Sequence, residues 1–221
     1  MRKAPSCLAG LFLFQGDEIL LKVALLYLLC WPVLRDSVSR LYFLVQPHGD
    51  LAFVDLRYAE HPWSTAVHLV PGILFFLVGP LQFSPALRRR RPALHRGLGK
   101  LFIASGLVSS LGVMHMVIVF PALGGLLTQG VTYAICLSMV AAMILAYRAV
   151  RRREVMLHMR WMRLAFALGL TVSTARIYIA LADAVFSLPF EQSFTIASAL
   201  GLGTNLIVVA CLERRPKTVS R

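Results

Sequence analysis

The sequence predicts an all-α, polytopic integral membrane protein with six transmembrane helices in one bundle and both termini cytoplasmic. Three observations carry that expectation. Of 221 residues, 58% are hydrophobic and only 15% charged, with a mean hydropathy of +0.72; soluble domains carry about 25% charged residues. The apolar residues fall into six runs near the ~20 residues that a helix needs to cross a hydrocarbon core of about 30 Å. The arginines and lysines cluster between those runs or at their ends, with Lys22 and Arg176 as the exceptions inside them.

Taken in order, the spans are expected at about residues 19–34, 63–83, 93–120, 126–149, 161–181 and 192–212, within a single membrane domain covering residues 1–221. The first is short and contains Lys22, whose stem can reach back to the cytoplasmic surface. The start of the chain, basic and then briefly apolar, resembles a signal peptide but lacks a small-residue cleavage site, so a retained cytoplasmic start is expected. Residues 35–62 mix aromatics with charge and suit a partly helical segment at the outer interface. His61-Pro62-Trp63 then anchors the second span, since tryptophan favours that depth. Pro92 is expected to open the third helix as its first residue. Pro121 and the Gly124-Gly125 pair mark the turn to the fourth span. Pro189 breaks the chain between the fifth and sixth.

Orientation follows from the cations. Residues 88–100 hold six arginines and lysines, residues 148–163 hold six, the tail four and the start two, against Arg35, Arg40 and Arg57 in the outer segments. The positive-inside rule places both basic loops and both termini in the cytoplasm, which requires an even number of crossings. The expected partners are the lipid bilayer, anionic headgroups at the basic loops and a possible membrane-protein partner. Nucleic acid is excluded: once the spans are removed, no basic domain remains to explain the net charge of +13.

Inside the spans, small residues mark close helix approaches: His68, Gly72 and Gly79 on the second, Ala165, Gly169, Ser173 and Ala180 on the fifth, Ser198, Gly201 and Asn205 on the sixth. Residues 68–83, HLVPGILFFLVGPLQF, are followed by PALRRRRPALHRGLGKLF and later by HMRWMRLAFAL. These strings resemble the bacterial membrane proteins grouped as domain of unknown function 2306. The matching residues are His68, Gly79, Pro80, Gln82, Phe83, His95, Arg96, Gly99, His158, Arg160, Trp161 and Met162, over roughly residues 60–181. The resemblance implies a multi-pass protein of the bacterial cytoplasmic (inner) membrane and brings no activity with it.

Ionisable groups inside a membrane are costly and mark functional sites. His68 and His115 fall at matched depths toward the outer face, and His95 and His158 begin the third and fifth spans at the cytoplasmic face. Two histidine pairs of this kind could ligate haem b through neutral imidazoles, a plan similar to that of the cytochrome b561 family. Against it, His95 and His158 stand beside arginines and could face lipid phosphates. His95 and His115 also project to nearly opposite sides of an ideal helix. Arg176 lies well inside the fifth span, where Asp183, a haem propionate or another anionic ligand are candidate partners. The leading expectation is a membrane redox or cofactor-handling protein that holds a haem, with His68 and His115 as iron ligands, or interacts with a quinone near the outer leaflet. The alternative is a cofactor-free assembly factor or small-solute permease. No hydrolase, P-loop, zinc-protease or dinucleotide-binding signature occurs, and the spans hold too few carboxylates for a pump-type proton relay.

Overall fold

A computed structural model describes residues 7–45, 51, 53–120 and 124–214. The basic start, residues 46–50 and 52 of the outer segment, Pro121 and residues 215–221 of the tail lie outside the described residues. Among those described there are eight helices and no strand: α1 (Cys7–Phe43), α2 (Phe53–Ala59), α3 (Pro62–Gln82), α4 (Pro85–Arg90), α5 (Pro92–Val119), α6 (Gly125–Arg151), α7 (Val155–Phe186) and α8 (Phe190–Arg214). Five of them, α3, α5, α6, α7 and α8, are long and apolar enough to cross a membrane.

Each boundary has a local cause. Pro62, Pro85 and Pro92 stand in the first turns of α3, α4 and α5, where their missing N–H costs nothing. Ser84 caps α4 by accepting from the Leu87 amide at 3.3 Å. Gly124 and Gly125 both have positive φ, 88° and 71°, and a Cβ at Gly124 would collide with the Thr195 and Thr128 hydroxyls. Only glycine makes that turn without strain.

The first helix differs most from expectation. It runs for 37 residues, about 55 Å at 1.5 Å per residue, rather than ending near residue 34. Asp17-Glu18, Lys22 and Arg35-Asp36 nevertheless break its apolar residues into runs shorter than a span, which is why it falls outside the five. The helix that continues through Phe43 and the short α2 together occupy what the sequence marked as an interfacial segment.

Neighbouring helices alternate in direction. α3 packs antiparallel on α5, α6 on α7 and α7 on α8, while α1 lies against α3 and α7. Tyr27 Oη donates to the Leu77 carbonyl at 2.7 Å and Ser173 Oγ to the Leu29 carbonyl at 2.5 Å, tying α1 into the bundle. The centre is aromatic: Phe75 stacks on Phe102 at 4.3 Å and meets Phe166 at 5.9 Å, with Phe75 and Phe102 essentially inaccessible. Small residues admit these rings, since a Cβ at Gly79 would overlap Phe166 and one at Gly169 would lie 2.6 Å from Phe75. Large apolar side chains such as Leu126, Ile118 and Ile196 cover the outside, the pattern of a surface that faces lipid. The connectivity gathers the α3–α4–α5 and α6–α7 links and the end of α8 at one end of the bundle, which is the basic end.

Candidate functional site

At the opposite end, the helices enclose a cavity of about 270 Å³, near the lower limit of small-molecule sites. Its walls are largely apolar, from Leu69, Phe75, Phe76, Met116, Ile135 and Met139; its charged and aromatic polar groups are Arg40, Arg57, Tyr58, His68 and Arg176, and serine and threonine hydroxyls from Ser37 to Ser198 complete the lining. α1 contributes Val33, Ser37 and Arg40, spaced at three and four residues and therefore on one face. α2 contributes Arg57 and Tyr58. Arg40 Nε bonds Asp55 at 3.2 Å, its guanidinium stands 4.3 Å over the Tyr58 ring, and the Tyr58 carbonyl accepts from Thr65 Oγ1 at 2.8 Å. Phe120 closes the side, stacked on His61 at 5.2 Å and 8°.

His68 is fixed by its neighbours. Its Nδ1 lies 2.9 Å from the Ser109 carbonyl and 3.0 Å from Ser109 Oγ, while Ser109 Oγ donates to the His68 carbonyl at 2.9 Å. A carbonyl only accepts and the serine proton is committed, so Nδ1 carries the imidazole hydrogen. In the neutral ring Nε2 is then an acceptor. Such an Nδ1–H to carbonyl bond is what orients histidines that use Nε2 on a ligand. Close approach makes the bond possible: Gly72 and Gly112 let α3 and α5 come together, a Cβ at Gly112 lying only 3.0 Å from the His68 backbone.

Arg176 joins the same cavity. Its Nε donates to Asp36 Oδ2 at 2.5 Å and its Nη1 to the Val172 carbonyl at 2.9 Å. The expected partner Asp183 is therefore replaced by Asp36, because α1 runs beside α7 and brings a carboxylate to mid-helix depth. Arg40 and Arg176 both lie within electrostatic reach of His68. Arg40 and Arg176, held by Asp55 and Asp36, both line the polar end of the cavity.

The other expected ligands lie elsewhere. His115 is exposed, with Nδ1 3.3 Å from Ser64 Oγ, and does not line the cavity. The residues present therefore do not fit a haem shared by His68 and His115: the two histidines match in depth but not in direction. His95 and His158 both stand at the basic end, within electrostatic reach of each other. His158 Nδ1 bonds the Ala146 carbonyl at 2.9 Å, and His95 Nδ1 is buried without a partner. On α8, Asn205 serves as interhelical glue, donating to the Ala167 carbonyl and accepting from Thr174 Oγ1, each at 3.1 Å.

Sequence reasoning missed Ser37, Arg40, Tyr58 and Ser109. The first three belong to the segment read as interfacial, and Ser109 looks like any small residue in a span. The signal for Ser37 and Arg40 was their helical spacing from Val33; Tyr58 and Ser109 carried none.

No curated protein and no solved structure matches the chain. The family model described as "Predicted membrane protein (DUF2306)" matches residues 65–212. That stretch is well over half of the chain and reaches from α3 through α8, taking in the last span beyond the strings that first suggested the family. The chain belongs to the DUF2306 family of predicted membrane proteins.

Proposed function

We propose that this is a membrane redox or cofactor-handling protein whose cavity takes a quinone-type amphiphile. One observation carries the reading: an apolar cavity presents, at its polar end, both an acceptor and charged donors. His68 Nε2 suits the hydroxyl of a quinol, and the Arg40 and Arg176 guanidiniums suit the carbonyl of the oxidised ring. The aromatic and methionine walls suit the ring and tail. A fatty carboxylate would satisfy the arginines but set an acceptor against His68, and is the poorer fit.

The reading includes six crossings of a bacterial inner membrane, with the basic end and both termini cytoplasmic and the cavity toward the outer leaflet. It is supported by the position of α1 alongside two span-length helices and by the concentration of cations at one end. Reporters of periplasmic export should be active when fused after Leu188 and inactive after Arg90; the reverse pattern would overturn the orientation.

The ligand is tested by extracting protein purified from quinone-replete cells. The organic extract should contain quinone in proportion to protein, and that from His68→Leu should not. An extract holding phospholipid alone would overturn the reading. So would a Soret band that shifts on reduction and disappears in His68→Ala and His115→Ala, which would identify a b-type cytochrome instead.

A further inference from the structure

At the basic end, away from the cavity, three stretches of the family motif meet. Gln82 ends α3 and is nine-tenths buried. Its amide lies against the second turn of α5, where an added Cβ on Gly99 would stand 3.2 Å from Gln82 Oε1. His95 lies one turn earlier on the same stripe of α5 as Gly99. Among the described residues, Gln82 Nε2 and His95 Nδ1 are buried polar atoms here with no hydrogen-bond partner. Such orphans are rare in folded proteins, because each forfeits its hydrogen bonds to water.

The surroundings are cationic. Arg88, Arg96 and His158 all act electrostatically on His95. Arg88 reaches across to α7, with Nη1 3.9 Å from Met159 Sδ. The nearby carboxylate Glu213 is already engaged by Arg160 and Arg163, at 3.7 and 3.2 Å. An unpartnered amide donor, an unpartnered imidazole and arginine side chains, all at the first turns of a 28-residue helix, form a set complementary to an oxyanion.

We propose that Gln82, His95 and Arg88 form a binding site for a phosphate-class oxyanion, supplied either by a lipid phosphodiester or by free phosphate. The site is independent of the quinone cavity. It gives a physical reason for the glutamine, the histidine and the glycine of the motif: donor, donor, and the space that lets them approach.

The test is thermal melting of the full chain in phosphate-free maltoside micelles, titrated with inorganic phosphate, and again with phosphatidylglycerol added to the micelles. Gln82→Met and His95→Gln are measured alongside. Wild type should gain stability with one of the two additions, and each variant should bind about tenfold more weakly, the weight of one charge-assisted hydrogen bond. A gain with phosphate identifies the free anion; a gain with phosphatidylglycerol alone identifies the headgroup. Equal gains in wild type and variants would be a general salt or lipid effect and would overturn the site, as would no gain. Without anion, Gln82→Met should be at least as stable as wild type, since it removes an orphaned amide. A marked loss there would show that the amide is already bonded within the fold, and would overturn the proposal.

Discussion

At the scale of single residues, the cavity is governed by which groups have committed partners. His68 gives its Nδ1 hydrogen to Ser109 and keeps an Nε2 lone pair, whereas Arg176 is held by Asp36 across 140 positions of sequence. The Arg176–Asp36 pair is partly shielded, with side chains 18% and 37% exposed. Asp36→Ala should cost about 2 kcal/mol, below the range for a fully buried pair, because it strands the guanidinium. The double variant Asp36→Ala/Arg176→Met should be more stable than Asp36→Ala alone when both are unfolded in detergent. A double variant weaker than either single one would mean that each residue acts through other partners. The sequence marked Arg176 and His68 as anomalous because charge and imidazole inside apolar runs need a reason. It could not supply Asp36, because a carboxylate just past an apolar run looks like the polar edge of an interface.

Among the elements, packing depends on where glycine removes bulk. Gly79 faces the Phe166 ring with no room for a methyl, while Gly97 on α5 has open space around its Cα. Gly79→Ala should therefore cost about 1–3 kcal/mol through overpacking. Gly97→Ala should be neutral or stabilise by up to about 1 kcal/mol, through helix propensity alone. Unfolding both in the same detergent checks the sign difference; equal effects would contradict the packing of α3 on α7. The spans from α3 to α8 were legible because run length, prolines and the Gly124-Gly125 turn each act locally. Their ends lie one to six residues from expectation, most at the start of α7, where helix continues into the polar loop. The extent of α1 was not legible: helix propensity carried it past Leu34, while hydropathy marked only its apolar centre. The expected pairing of His68 with His115 rested on depth alone, and depth says nothing of the direction in which a side chain leaves its helix.

For the whole molecule, the two ends differ in chemistry. One end gathers arginines with the buried Gln82 and the half-buried His95, and the other encloses a largely apolar cavity whose charged and imidazole groups come from α1, α2, α3 and α7. The cationic end was legible from composition. The cavity was not, since it is assembled from residues up to 165 positions apart, between Val33 and Ser198. What most directly tests its assignment is an anaerobic binding titration of a short-tailed quinol against the purified full chain and His68→Leu. The quinol should bind wild type and bind His68→Leu about tenfold or more weakly, consistent with the loss of one hydrogen bond at a desolvated site. Equal affinity for the two proteins, or no binding to either, would contradict the role given to His68 and to the cavity.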